Sequence, residues 1–424
     1  MPKRITKEEQ RLNIFPHIII NAVNECNALF ELFVNEMSSL GKQSHQDIKE
    51  LKEYLNLNEI GVEHGQLVIP IRKYKKYKEL SKRTFQNSRM IEMCPKFTIS
   101  HLVQIYDSFL TKMLSETLFF YPGVFSLCDK ALKLEMIKDD KSVDAVKKRF
   151  ISYQIEEIMR DSHLKQIEWI DKKFKTSIKS FNMIKDFLLL TELRNIVIHN
   201  NGKINGIFKS NLKKFGLDVS GYKINTAASL DYKTIVQSFD AVISLMVMIY
   251  ASLCCKVFKK EELLITAVNN EIIYEYLSER NYRKVHLLST LLIYSGLNIP
   301  QGTLDVVKIN LAIAYMNSSI DKYKEIVEEL SSNDDDIKLA RAVLLEQYDL
   351  AANLFKKQGK NEVLYRGSFE WPLFDNFRKT EIFKNTFKEV FGEDFDIIKE
   401  PETALEEKEI IVSPNNKLDM KDAS

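Results

Sequence analysis

Between Ile99 and Phe119 the apolar side chains Ile99, Leu102, Val103, Tyr106, Phe109, Leu110, Met113 and Leu114 recur three and four residues apart. That spacing draws one stripe along a helix and does not fit a strand, whose faces alternate every second residue. A stripe of this length has to be buried against other apolar faces. The chain supplies them in Asp231–Phe258, in Lys185–Ile198 (Phe187, Leu188, Leu190, Leu193, Ile196, Val197) and in Ile14–Met37. Gln46–Leu55 reads as a second helix after a Ser38–Ser44 linker, and Tyr74–Ser88 as another, with Cys94-Pro95 as a break before Ile99. The expectation is a mostly α protein. One or two minor β-hairpins are expected, the first in Val62–Ile71 around Gly65 and a second near Lys223-Ile-Asn in the glycine-punctuated stretch Lys203–Leu230.

Charge and cysteine usage narrow the function classes. With 61 Lys and Arg against 59 Asp and Glu, the 424-residue chain has no overall attraction for polyanions. Any nucleic-acid affinity has to be local. One such patch is Arg72, Lys73, Tyr74, Lys75, Lys76, Lys82 and Arg83, where cations alternate with aromatic rings that stack on bases; the alternative is a solvated helix face. Cys26, Cys94, Cys128, Cys254 and Cys255 form neither a paired framework nor a metal knuckle, which suits reduced thiols in a cytoplasmic protein. His17, His45, His64, His101, His163 and His286 are scattered without metal-site spacing. No glycine-rich phosphate loop occurs, so nucleotide hydrolysis has little support, and neither a metal nor a cofactor is expected. Met1–Asn13 is too polar for a signal peptide, and Ala241–Leu253 falls short of the roughly 20 apolar residues that cross a bilayer.

The stretch Arg194-Asn-Ile-Val-Ile-His199-Asn-Asn-Gly202 carries the chemistry. Asn200, Asn201 and Gly202 tolerate the left-handed backbone that ends a helix, so His199 sits in or just after a last turn. Asn195 and His199, four apart, share a face, with Glu192 one turn earlier. Arg194 is offset by roughly 100° and reaches the same place from the flank. A guanidinium offers phosphate a planar donor fork, and an imidazole moves a proton near neutral pH. The structural alternative is plain: Arg and His near a helix end also cap carbonyls.

The run Glu192-Leu-Arg194-Asn195-Ile-Val-Ile-His199-Asn200-Asn201-Gly202 resembles the signature of HEPN domains, small helical domains of RNA-processing and antiviral-defence proteins. The resemblance implies a central HEPN-like bundle over residues 95–259. It implies metal-independent RNA cleavage with Arg194, Asn195 and His199 as catalytic residues. Glu192 and Asn200 would support them, as would Asp107, an acidic residue on an earlier helix. HEPN domains typically dimerise with their motifs facing, so the resemblance also implies a homodimer whose composite site holds two copies of His199. The alternatives are an inactive HEPN module for RNA binding and dimerisation, or a scaffold protein.

Residues 1–94 read as an N-terminal helical region and 260–398 as a succession of helical pairs. Lys308–Tyr315 and Tyr348–Lys357, with Ala351 and Phe355 in small and large packing positions, resemble tetratricopeptide helices at irregular spacing. Such a region presents surfaces to a protein partner or trigger. Aromatic-rich Phe369–Phe395 would cap it, and polar 399–424 reads as a flexible tail.

Overall fold

The structure is a computed structural model that describes residues 12–57, 62–63, 66–120, 138, 142–359 and 366–395. Helix α1 spans Ile14–Leu57, and a short β1 (Val62–Glu63) pairs antiparallel with β2 (Gln66–Leu67) before α2 runs from Ile71 to Phe120. Helices α3 (Val143–Arg160), α4 (His163–Phe174), α5 (Met183–Asn200), α6 (Gly206–Lys214) and α7 (Tyr232–Leu253) complete the part that holds the motif. Then follow α8 (Glu261–Leu264), α9 (Tyr274–Ser278), α10 (Tyr282–Ile293), α11 (Gln301–Asn317), α12 (Tyr323–Glu328), α13 (Asp335–Leu344), α14 (Tyr348–Gln358) and α15 (Glu381–Phe391). The protein is mostly α. The tail at 399–424, the turn at Gly65 and Cys128 lie outside the described residues.

Two expected breaks are absent. Ser38–Ser44 is helical and joins the two front segments into one α1. Helix α2 continues through Cys94 and the buried Pro95. Tertiary pairing explains the continuity of the first: α1 and α2 lie side by side, and the buried Asp47 accepts from Gln43 (3.0 Å) and Asn87 and pairs with Arg83 Nε at 2.8 Å. The Tyr54 hydroxyl adds a 2.8 Å bond to the Lys73 carbonyl near the far end. Proline in a helix forfeits one backbone bond, a loss that burial of Pro95 itself and of the face from Thr98 to Leu118 offsets.

The β structure is smaller than expected. The front pairing is confined to Val62↔Leu67 and Glu63↔Gln66, and Ile71 already opens α2. The second excursion folds mainly into α6, which Asn205 caps through the Phe208 N–H at 2.9 Å. It returns only as a single bridge, Lys203↔Ala227.

One apolar core joins these helices, from Leu12 and Phe15 on the N-terminal side through α2, α5 and α7 to Phe383 and Phe387 in α15. It crosses both expected boundaries, 94/95 and 259/260. Helix α7 is its axis, with every residue from Ala241 to Leu253 buried. Together with the π-helical turn Cys254–Phe258 it is long and apolar enough to cross a membrane, but 83% of its most apolar window is buried inside the protein. Burial rather than length identifies it as a core helix. A second π-helical segment, Ile265–Ile273, lies between α8 and α9. There the buried Asn269 accepts from Asn310 at 2.9 Å, and Asn310 accepts from the Trp371 indole at 3.1 Å, tying α11 and the aromatic cap to the wide turn.

Candidate active site

Helix α5 ends as its sequence dictates. Asn201 takes the left-handed conformation at φ 49°, followed by Gly202 at φ 77°, and the Gly202 N–H closes on the Ile196 carbonyl at 2.9 Å. Asn200 braces the turn by donating to the Lys203 carbonyl at 2.6 Å, and the Ala228 N–H holds the Gly202 carbonyl at 2.9 Å. The helix is anchored behind the site by Phe187, Leu190, Leu193 and Ile196, all buried.

Three side chains of the motif stand on this rigid end. Arg194 is half-buried, with Nη1 reaching the Asn195 side-chain oxygen at 3.3 Å and a buried Nε that has no hydrogen-bond partner among the described residues. Asn195 is half-buried and His199 exposed. The His199 ring lies one turn on, about 6 Å along the same face. A cation held against an amide, with an exposed imidazole one turn further, can grip a phosphate and move a proton on a neighbouring hydroxyl.

The supporting residues divide. Glu192 is buried and accepts from Asn211 at 3.0 Å, which fastens α6 to α5 rather than facing substrate. Asn200 serves the turn. Asp107 points elsewhere: its carboxylate meets His163 Nε2 at 3.1 Å, and the His163 ring packs edge-on to Phe187 at 5.6 Å. Asp107 is thus engaged with His163 at the level of Phe187, about 11 Å before Arg194 and about 18 Å before His199 along the axis of α5.

Lys96 of α2 lies beside the turn that ends α5. A Cβ built on Gly202 would stand 3.4 Å from Lys96 Cε and 3.8 Å from its Nζ, so the ammonium lies against the turn that follows His199. Lys96 pairs with Glu92 at 2.6 Å, and Glu92 also meets Arg89 at 3.0 Å. Lys96 first, and Arg89 with it, hold the Glu92 carboxyl below its ordinary value. Nothing in the linear sequence marks Lys96. The only hint is a glycine at 202, where the backbone needs positive φ.

The basic patch is partly spent on structure. Arg83 is held by Asp47 and Glu50 of α1, and Lys76 stands 3.9 Å from Glu50. Lys73 is half-buried, whereas Arg72, Tyr74, Lys75 and Lys82 are exposed. Lys82 and Lys96 are on one helix, about 21 Å apart along it. The patch and the motif therefore sit at separate levels of α2.

No family model matches the sequence, and neither a curated protein nor a solved structure matches the chain.

Proposed function

We propose that the protein is a HEPN-type, metal-independent endoribonuclease of the cytoplasm, acting in bacterial antiviral defence or a toxin-like system. The observation that carries this reading is the end of α5, where Arg194 leans on Asn195 and His199 stays exposed one turn away. In the reaction a ribose 2′-oxygen attacks the adjacent phosphorus and the 5′-oxygen leaves, giving a 2′,3′-cyclic phosphate and a 5′-hydroxyl. His199 takes the 2′-hydroxyl proton as general base. Arg194 and Asn195 donate to the phosphoryl oxygens as charge accumulates on them, and Lys96 adds a cation at the rim. The leaving oxygen needs a proton from an acid, and one imidazole does not hold both roles at once. His199 of a second copy supplies that proton, so the active species is a homodimer with two motifs around one phosphate. The helical pairs after residue 260, which resemble tetratricopeptide helices, take a protein partner or trigger.

The test is RNA cleavage by wild type, Arg194→Ala and His199→Ala. Both variants are expected to lose cleavage while unfolding at the wild-type temperature. Variants that cut as fast as wild type overturn the assignment.

A further inference from the structure

On the C-terminal helices a groove of about 460 Å³ opens between α10, the end of α11 and the loop leading to α12. Its size lies in the range of small-molecule sites. Tyr282 and His286, one turn apart on α10, and Tyr315 of α11 line it, with the His286 and Tyr315 rings packed against each other at 5.3 Å and inclined by 38° to form one aromatic surface. Ala314 leaves the floor open because it carries only a methyl group. Lys322 and Arg283 supply two cations at the rim, and none of the lining residues is a carboxylate.

The cations are not spent in the same way. Arg283 grips Asp240 of α7 through both guanidinium nitrogens, and the buried Lys284 takes the same carboxylate at 2.8 Å. Asp240 therefore answers two cations, while Lys322 is exposed at the mouth with no ion pair recorded among the described residues. Flat rings backed by positive charge suit a flat, negatively charged ligand: the rings stack with a base and the cations hold a phosphate.

We propose that this groove binds a nucleoside phosphate, with the base on Tyr315 and His286 and the phosphate at Lys322. The same chemistry is offered by a free nucleotide and by one nucleotide of a single-stranded RNA. The site is independent of the cleavage reading, since binding here needs no reaction at α5.

The test is calorimetric titration of the full-length chain with AMP, GMP, CMP and UMP, with inorganic phosphate and the parent nucleosides as controls, and with an eight-nucleotide single strand added to the His199→Ala variant. At least one nucleotide or the strand is expected to bind saturably. Tyr315→Ala should weaken that binding about tenfold or more, and Tyr315→Phe, which keeps the stacking face, should not. Lys322→Glu should weaken the nucleotide about tenfold and leave its nucleoside unchanged. Binding of the strand without any mononucleotide assigns the groove to RNA; mononucleotide binding assigns it to a free effector. The proposal is overturned if neither binds up to about 5 mM, if inorganic phosphate binds as tightly as the nucleotides, or if the Tyr315 and Lys322 substitutions leave the affinity as it was.

Discussion

The end of α5 and the packed junctions of the C-terminal helices use polar groups in opposite ways. At two of these junctions they are satisfied internally: buried Asp305 accepts from Gln301 at 2.9 Å and from the Ser331 and Ser332 N–H groups at 3.2 and 2.8 Å, closing the loop after α12. Asn269, Asn310 and Trp371 form a similar closed chain. At the end of α5 the backbone is equally well held, but the side chains it presents are not consumed. His199 is exposed and Arg194 Nε has no partner among the described residues. Polar groups that close a fold cannot also serve a ligand, and groups left open on a rigid frame can. The difference predicts which substitutions cost stability and which cost activity.

The largest effect is expected on activity alone. His199→Ala should lower RNA cleavage by a factor of about 10² to 10⁴, the usual worth of general acid–base catalysis, and leave unfolding by denaturant unchanged within about 0.5 kcal/mol. Asp305→Ala should do the reverse. It strands two backbone donors and costs about 3 kcal/mol in chemical denaturation, with cleavage per folded molecule unchanged. Gly202→Ala tests the boundary between the two behaviours. The methyl has room beside Lys96, but φ of 77° strains any L side chain by about 1–2 kcal/mol. Its expected signature is a modest loss of stability together with reduced cleavage, since the turn positions both His199 and Lys96.

The smallest effect concerns pH. Burial holds the Lys284 ammonium below the ordinary lysine value, with Asp240 opposing the shift. The unfolded chain keeps that proton to higher pH, so folding releases it. Stability therefore rises with pH across the window between the lowered value and the ordinary one. Buried thiols and phenols such as Cys26 and Tyr276 are pushed up and lower stability over the same range, so the rise is read as a difference: wild type minus Lys284→Met should grow with pH in denaturation curves at successive alkaline pH values. A difference that stays constant with pH would remove Lys284 from the account.

Much of the fold was legible because it is local. The 3.6-residue stripes located α2, α5 and α7, and Asn200-Asn201-Gly202 located the end of α5 because only a few residues accept φ near 49° and 77° there. At Ser38–Ser44 and Pro95 local polarity and a proline argue for a break, whereas side-by-side packing of α1 and α2 carries the helices through. The same limit applies at the site. Arg194, Asn195 and His199 lie within one and a half turns, so their grouping follows from helix geometry. Lys96 beside Gly202 and Asp107 beside His163 depend on how α2 registers against distant segments, which hydrophobic periodicity does not encode. Neither contact is legible in the sequence for that one reason.

The most direct test of the central claim uses mixed dimers. Wild-type and His199→Ala chains are mixed at varied ratios, allowed to exchange subunits, and assayed for RNA cleavage at constant total protein. If each site needs His199 from both copies, the rate follows the square of the wild-type fraction, about a quarter of full activity at an equal mixture of a two-fold dimer. A rate that falls in simple proportion, to about half, would contradict a composite site. Undiminished cleavage by His199→Ala alone would contradict the ribonuclease assignment itself.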